Sequence, residues 1–374
     1  MKKLGFGFMR LPLTDSADQT SIDLPLTEKM ADLFLERGFT YFDTAWMYHD
    51  FASEQALGRA VVARHPRESF TVASKMPVAM LSSLNQGMAI FEKQKHNLGV
   101  EYFDNYLVHD MGAANYETAK RLRLLPYLRG KREAGEIRRL GFSCHDRAEH
   151  LDQVLTECPF FEFVQLQINY LDWDSEGVQS RKCYEVCEKH HKPVIVMEPV
   201  KGGTLARLPE KAEALLRAAH PDWSMASWAL RFAAGLPNVE TVLSGMSDLA
   251  QLEENTAVLA DPAPLTAEEL SLLREAAGHI RGSIAIPCTG CRYCVEENEC
   301  PQNIPIPGYF SLFNTRKLKT DGDWAPENGY YDNFLDQGFG RASDCVGCQG
   351  CERVCPQHIE ISQWMPRVAK LFEG

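Results

Sequence analysis

The chain of 374 residues lacks several features that would assign it to a broad class of protein at once. No apolar run approaches the ~20 residues of a membrane span. No basic block is present, and the net charge of −12 argues against nucleic acid as the main partner. The basic N-terminus resembles the start of a signal peptide, but Gly5, Gly7 and Arg10 interrupt the apolar stretch behind it. We therefore expect a cytoplasmic protein that binds neither membranes nor nucleic acid.

The cysteines are clustered, whereas those of a disulfide-bonded secreted protein would be scattered along the chain. Of the twelve, eight lie between Cys288 and Cys355 in two tight groups. Clustered cysteines in a large cytoplasmic chain favour metal binding over cross-linking. The C-terminal quarter of the chain is therefore predicted to bind metal.

Short apolar strands alternate with amphipathic helices along the first 260 or so residues, in eight units. The predicted strands are 4–9, 40–42, 70–74, 103–108, 137–142, 163–168, 193–197 and 241–244, and the longest predicted helix is 115–134. Such strands, rich in β-branched and aromatic residues, suit a parallel sheet buried on both faces. The pattern predicts an α/β fold of the (β/α)8 TIM barrel type, with its active site at the carboxyl ends of the strands. An open doubly wound sheet is the alternative, although no Gly-rich dinucleotide turn follows the first strand.

Residues that can donate or accept a proton lie at the ends of three of these strands. Asp43, Lys75 and His109 follow the second, third and fourth strands, and Tyr48 lies five residues beyond Asp43. Taken singly, Asp43 fits a helix cap, Lys75 a solvated strand end and His109 a core histidine. At one barrel rim, however, the four side chains would converge, and together they predict an active site.

These four side chains suit proton transfer to or from a carbonyl or alcohol oxygen. A phenol with a pKa of ~10 is a poor acid at neutral pH, but a cationic Lys75 would lower the pKa of Tyr48. Asp43 would hold Lys75 in place, and His109 could donate a hydrogen bond to the same oxygen. Hydride transfer at the neighbouring carbon would complete the reaction.

The sequence from Leu4 to about Leu259 resembles the aldo-keto reductase family. The stretches that carry the resemblance are Gly5-Phe6-Gly7-Phe8-Met9-Arg10-Leu11-Pro12, Phe42-Asp43-Thr44-Ala45, Tyr48, Ser74-Lys75, Val108-His109, Gly141-Phe142-Ser143, Val164-Gln165 and Glu253-Glu254-Asn255. The resemblance implies that Asp43, Tyr48, Lys75 and His109 are the catalytic tetrad. It also implies that NAD(H) or NADP(H) binds across the barrel mouth without a Rossmann fold.

The resemblance further implies a set of cofactor-binding residues, which are Ser143, Cys144, Gln165, Gly202, Gln251, Glu254 and Asn255. Ser143 and Gln165 would hold the nicotinamide amide, and Gly202 would lie near the pyrophosphate. Glu254 and Asn255 would lie near the adenine.

Three departures from the family pattern concern this nucleotide site. Cys144 stands where many members have an Asn for the nicotinamide amide, and Met197 where many have a Tyr under the nicotinamide ring. Residues 244–251 lack the Lys and Arg that usually bind the 2′-phosphate of NADP. We therefore expect NADH to be used at least as well as NADPH.

The clustered cysteines form two similar runs near the C-terminus. Their spacing is Cys288-x2-Cys291-x2-Cys294-x5-Cys300-Pro and Cys345-x2-Cys348-x2-Cys351-x3-Cys355-Pro. Thiolates spaced in this way can surround a compact soft-metal centre, and two zinc sites are the alternative. The doubled pattern resembles a ferredoxin domain with two [4Fe–4S] clusters, in which the fourth cysteine of each run ligates the other cluster. The resemblance thus implies one centre held by Cys288, Cys291, Cys294 and Cys355, and another held by Cys300, Cys345, Cys348 and Cys351.

Apolar residues at helical spacing over 307–318 and 362–372 predict that this ferredoxin-like domain is mostly α-helical. We therefore divide the chain into a barrel domain of residues 1–278 and an iron–sulfur domain of residues 279–374.

Three kinds of function fit this architecture. The first is a nicotinamide-linked oxidoreductase that acts on a small carbonyl or alcohol. The second is an electron-transfer enzyme in which a flavin links the barrel to the clusters and to an external ferredoxin or flavodoxin. The third is a non-catalytic nucleotide sensor, against which the complete tetrad argues.

Overall fold

The computed structural model describes residues 2–16, 18–175, 178–317 and 327–374. The chain forms two compact units. One comprises Met1–Val200 with Ala226–Leu270, and the other comprises Lys201–Met225 with Ser271–Gly374. Residues 201–225, which we expected within the barrel domain, thus group with the C-terminal segment. The domain boundary after residue 278 stays a prediction.

Eight parallel strands form a closed barrel within the described residues of the first unit. They are β1 (Leu4–Gly7), β2 (Tyr41–Asp43), β3 (Thr71–Met76), β4 (Phe103–Val108), β5 (Ile137–Cys144), β6 (Val164–Gln167), β7 (Val194–Met197) and β8 (Val239–Gly245). Each strand pairs with the next in sequence, and β8 pairs with β1. The predicted TIM barrel is therefore confirmed, and the pairing of β1 with β8 rules out the open sheet.

Helices follow the strands along the chain. They are α1 (Leu24–Glu36), α2 (Ser53–Leu57), α3 (Leu84–Leu98), α4 (Ala113–Arg121), α5 (Leu124–Glu133), α6 (Ala148–Glu157), α7 (Ser180–Lys189), α8 (Glu210–Ala219), α9 (Met225–Ala234), α10 (Leu249–Val258) and α11 (Ala267–Ser283). Of these, α8 and, for most of its length, α11 belong to the second unit. The prediction of a single helix over 115–134 is wrong. Arg123 adopts a left-handed conformation with a φ of 57°, which breaks the segment into α4 and α5.

Buried side chains fill the barrel interior, including Tyr41, Ala73, Leu107, Phe163, Ile195 and Leu243. A Cβ atom on Gly141 would lie 2.6 Å from the Phe163 ring, so only glycine leaves room for that ring. The barrel is therefore packed inside, as a TIM barrel should be, and a ligand must bind at its rim.

The second unit is mostly α-helical. Its remaining helices are α12 (Tyr293–Glu296), α13 (Ile306–Lys317), α14 (Glu327–Asp336), α15 (Gly350–Arg353) and α16 (Ile361–Phe372). The helices predicted over 307–318 and 362–372 correspond to α13 and α16, and Leu318 lies outside the described residues. No helix in the described ranges is long and apolar enough to cross a lipid bilayer.

Candidate active site and cluster-binding site

The four residues of the predicted tetrad meet at the carboxyl ends of β2, β3 and β4. Asp43 ends β2, Lys75 lies next to last in β3, and His109 follows β4. Lys75 Nζ donates to Asp43 Oδ1 at 2.5 Å and to the Thr44 carbonyl at 2.8 Å. The ion pair that we expected between Asp43 and Lys75 is therefore present, whereas the catalytic role of these residues stays a prediction.

Tyr48 lies beside both Lys75 and His109. Lys75 Nζ is 5.1 Å from the centre of the Tyr48 ring and hydrogen-bonds the Tyr48 side chain. The His109 ring meets the Tyr48 ring edge-on, with 6.1 Å between centroids. All four side chains are buried, so their charges interact in a medium that screens them weakly.

Burial and mutual contact set the charge states of these groups. Burial opposes a charge on Lys75, but Asp43 and Tyr48 outweigh it and raise the pKa of Lys75. Burial, with the nearby Lys75 and His145, holds the pKa of His109 well below its ordinary value. At neutral pH the site therefore presents a lysine cation beside the phenol and an uncharged imidazole that can donate one hydrogen bond.

A buried carboxylate that sequence analysis did not single out lies behind Lys75. Glu54 of α2 is fully buried, and its Oε1 accepts from Ser74 Oγ and Gln94 Nε2, both at 2.7 Å. Asn97 Nδ2 donates to the other oxygen at 3.1 Å. Gln94 Nε2 also donates to the Lys75 carbonyl at 2.9 Å, so this network fixes the backbone that carries Lys75. No spacing signal distinguishes a buried Glu in a helix from an exposed one, which is why the sequence did not reveal it.

The loop after Tyr48 is held by a second residue that sequence analysis missed. His49, Asp50 and Phe51 all have positive φ angles. His49 Nε2 accepts from the Leu11 amide at 3.1 Å, and Nδ1 lies 3.0 Å from the Gln19 carbonyl. These two contacts stabilise the unusual turn that presents Tyr48.

Three of the predicted nicotinamide contacts lie on neighbouring strands. Ser143 and Cys144 end β5, and Ser143 pairs in register with Gln165 of β6. Gln165 is only 2% exposed, and its Oε1 atom has no hydrogen-bond partner among the described residues. Ser143 Oγ accepts from the Asp110 amide at 2.8 Å. An unpartnered buried carbonyl oxygen fits the amide of a nicotinamide ring, whose NH2 group could donate to it.

Cys144 is buried, and burial above all raises the pKa of its thiol well above the ordinary value. It is therefore present as an apolar thiol, not as a reactive thiolate.

The other predicted cofactor contacts divide between the two units. Asn255 of α10 is buried and donates to Ser244 Oγ at 3.1 Å, and Glu254 is exposed on the same helix. Gln251 is engaged at the start of this helix, where it accepts from the Ser247 amide at 3.0 Å. Gly202 belongs to the second unit, where a Cβ atom on it would lie 2.1 Å from the Thr289 carbonyl oxygen. The roles of these residues at the nucleotide stay predictions.

Four of the cluster cysteines line one cavity of the second unit. They are Cys288, Cys291, Cys294 and Cys355, the set assigned to the first centre. Burial and then the neighbouring Cys291, Cys288 and Cys355 thiols raise the pKa of Cys294. Gathered thiols, of which Cys294 and Cys355 are buried, suit a metal centre, which takes its cysteine ligands as thiolates and displaces their protons.

Electrostatic interactions indicate that three cysteines of the second set, Cys300, Cys345 and Cys351, lie close together. Burial, followed by Glu352 and then by Cys345, raises the pKa of Cys351 to about 12, and Cys300 contributes as well. Cys348 is exposed. In the described part of the chain, no three His, Cys, Asp or Glu side chains are arranged to hold a single metal ion. The assignment of the thiols to clusters therefore depends on the shared cavity and on similarity to known proteins.

Curated relatives cover only part of the barrel. The 9,11-endoperoxide prostaglandin H2 reductase of Trypanosoma cruzi is 27% identical over 176 residues, which is 45% of this chain and 55% of that protein. An aldo-keto reductase of Mycolicibacterium smegmatis is 28% identical over 160 residues, 41% of this chain and 50% of that protein. The chain thus spans about half the length of these relatives.

Solved structures match most of the barrel. An aldo-keto reductase from Bacillus halodurans in its holo form is 25% identical, with a TM-score of 0.58 over 73% of this chain and 91% of that one. An aldo-keto reductase from Klebsiella pneumoniae in complex with NADPH is 21% identical, with a TM-score of 0.56 over 73% and 90%. The second likeness shows the fold alone.

Two family models together cover nearly the whole chain. Residues 3–277 match the Aldo/keto reductase family, and residues 287–360 match a 4Fe-4S dicluster domain. The match to the first model spans far more than half of the sequence. The chain therefore belongs to the aldo-keto reductase family and carries a 4Fe-4S dicluster domain at its C-terminal end.

Proposed function

We propose that this protein is a nicotinamide-dependent oxidoreductase that transfers hydride between NAD(H) or NADP(H) and a small carbonyl or alcohol, and that it binds two [4Fe–4S] clusters. The observation that carries the proposal is the buried Asp43–Lys75 ion pair in contact with Tyr48. A lysine held charged beside a phenol is suited to supporting a phenolate.

The four side chains have separate tasks in this reaction. Bound nicotinamide supplies or accepts the hydride. Tyr48 gives its proton to the carbonyl oxygen during reduction, and Lys75 stabilises the phenolate that remains. Asp43 holds Lys75 in place, and the neutral His109 donates a hydrogen bond to the same oxygen. The proton from Tyr48 and the transferred hydride together convert the carbonyl into an alcohol, and the reverse steps oxidise it.

Nicotinamide binding is supported by the strand ends next to the tetrad. The buried Gln165 offers an unpartnered oxygen among the described residues, and Ser143 lies beside it in register. The Klebsiella reductase of similar fold was solved with NADPH, which agrees with a nicotinamide cofactor for this chain. The cavity lined by four cysteines supports the first cluster in the same way.

Replacing Tyr48 with Phe tests the assignment of the proton donor. Tyr48→Phe keeps the ring but removes the acidic proton, so we expect carbonyl reduction to fall by about 10²–10⁴-fold. Nicotinamide binding, followed by fluorescence titration, should stay unchanged. Turnover within a few-fold of the unaltered protein would remove Tyr48 from the acid role.

The 4Fe-4S dicluster domain favours a second candidate function, electron transfer between the barrel and an external ferredoxin or flavodoxin. A hydride carries two electrons, whereas each [4Fe–4S] cluster normally takes one, so a flavin would be needed to divide the pair. The absorption spectrum of anaerobically purified protein separates the two candidates. An iron–sulfur band alone supports the first, and resolved flavin peaks support the second.

A further inference from the structure

One lysine of the second unit is buried beside the first set of cluster cysteines. Lys201 is 1% exposed, and its Nζ donates to Gln357 Oε1 at 2.7 Å. Gln357 follows Cys355 by two residues and lines the cavity with the four cysteines. A buried lysine costs desolvation energy, so its position against this cavity calls for an explanation.

The backbone at Lys201 and the two residues after it adopts left-handed conformations beside the cysteine-lined cavity. Lys201, Gly202 and Gly203 all have positive φ angles, of 49°, 61° and 95°, and Lys201 is the one that is not glycine. Gly202 lies so close to Thr289 that a Cβ atom would lie 2.1 Å from its carbonyl oxygen. Thr289 follows Cys288, so the two residues at 201 and 202 contact both chain segments that supply the first set of thiols. The strain of the left-handed lysine is maintained by these contacts.

The thiol of Cys355 lies in an electropositive setting. The backbone amides of Ile359, Gln357 and His358 hydrogen-bond to the sulfur, and the charge of Lys201 acts on it. The same groups would stabilise negative charge on a cluster that Cys355 ligates.

The second set of thiols has the opposite kind of neighbour. Glu352 follows Cys351 in the sequence, and its carboxylate acts on the Cys351 thiol. Glu352 Oε1 accepts from the Ser362 amide at 2.6 Å, which holds the carboxylate in position. One thiol of each set, Cys355 and Cys351, is thus acted on by a side-chain charge of opposite sign.

We propose that Lys201 is a potential-tuning residue, which raises the reduction potential of the cluster held by Cys288, Cys291, Cys294 and Cys355 above that of the second cluster. This inference rests on the two clusters of the proposed function. Reduction adds one electron, and so one negative charge, to a cluster, which a fixed cation favours and a fixed anion opposes. When a single electron is added to the two clusters, it therefore resides on the cluster beside Lys201.

The test is an anaerobic titration of the iron-loaded full chain with dithionite, followed by EPR. The unaltered protein should show two midpoint potentials. Lys201→Met should shift the higher one to lower potential and leave the lower one in place, and Lys201→Arg should restore it. Glu352→Gln, which keeps an acceptor for Ser362, should shift only the lower potential, upward. The matched control is Lys211→Met, which removes an exposed lysine of α8 and should change neither potential.

Each other outcome also has a defined meaning. If Lys201→Met leaves both potentials unchanged, or shifts both equally, the inference is overturned. If Lys201→Met fails to take up iron, Lys201→Gln, which still has a donor for Gln357, replaces it and is judged by the same shifts. Absence of iron from the unaltered protein would instead contradict the two-cluster part of the proposed function, whatever Lys201 does.

Discussion

Individual charges at the barrel rim are set by burial as much as by residue type. Lys75 is kept as a cation by its buried partner Asp43, and His109 is kept neutral by burial and by the cation beside it. In the proposed reaction, a histidine that is neutral at physiological pH can hydrogen-bond the substrate oxygen without competing with Tyr48 as an acid. The chemistry of the site therefore depends on groups whose pKa values burial and neighbouring charges have shifted.

The lowered pKa of His109 predicts a dependence of stability on pH. In the unfolded chain His109 takes up a proton near pH 6.5, whereas the folded protein resists it to lower pH. The unfolded state thus binds more protons below about pH 6.5, so stability falls there as the pH falls, by up to about 1.4 kcal/mol per pH unit for one group. In urea titrations from pH 7 to 5, His109→Gln should show a shallower fall than the unaltered protein. The exposed His96→Gln is the control, and an unchanged slope in His109→Gln would contradict the account.

The preference for NADH or NADPH is a second property that we expect to depend on individual residues. Arg10 lies at the end of β8, where a Cβ atom on Gly245 would be 3.1 Å from its Cβ, and its Nη2 is 3.4 Å from Glu198 Oε1. Because this carboxylate already engages Arg10 and the protein is acidic overall, we expect NADH to bind at least as tightly as NADPH. Fluorescence titration with both cofactors measures this. Clearly tighter NADPH binding that disappears in Arg10→Ala would show instead that Arg10 binds the 2′-phosphate.

At the scale of secondary-structure elements, a polar network joins α2, β3 and α3 behind the tetrad. Glu54, Ser74 and Gln94 hydrogen-bond one another, and Tyr106 of β4 donates to Gln94 Oε1 at 2.5 Å. The network is buried, so each of its members depends on the others for hydrogen bonds. It fixes β3 relative to two helices at the residue that precedes Lys75.

Removing the carboxylate of Glu54 should therefore be costly. Glu54→Ala leaves Ser74, Gln94 and Asn97 without their common acceptor, and we expect a loss of about 1–3 kcal/mol in the free energy of unfolding for buried groups left unsatisfied. Urea denaturation measures it. Glu185→Ala, at an exposed position of α7, should stay within about 0.5 kcal/mol of the unaltered protein. An equally small effect of Glu54→Ala would show that water or a rearrangement satisfies the three donors.

Elements and contacts differed in how far the sequence predicted them. The eight strands, and the convergence of Asp43, Lys75 and His109, followed from apolar runs that each end in a polar residue. The break at Arg123 was not predictable, because an arginine in a left-handed conformation carries no local signal. Glu54 and Lys201 were missed for a related reason: their burial depends on contacts between residues 20 or more apart in sequence.

At the scale of the whole molecule, the proposed function combines two kinds of redox chemistry in one chain. The barrel of the first unit presents the tetrad, and the second unit gathers the cysteines. Hydride chemistry at the tetrad needs nothing from the clusters, whereas a flavin-linked path would pass electrons one at a time to them. The central claim is that hydride moves directly between nicotinamide and substrate.

Isotope transfer tests this claim most directly. NADH that carries deuterium on the transferred face of C4 is incubated anaerobically with the protein and a panel of small aldehydes and ketones, and the alcohol product is analysed by mass spectrometry and NMR. We predict that the deuterium is retained at the carbinol carbon, with one deuterium for each NADH oxidised. Products formed without the label, because it exchanged with solvent on a flavin, or oxidation of NADH without alcohol formation, would contradict direct hydride transfer at the tetrad.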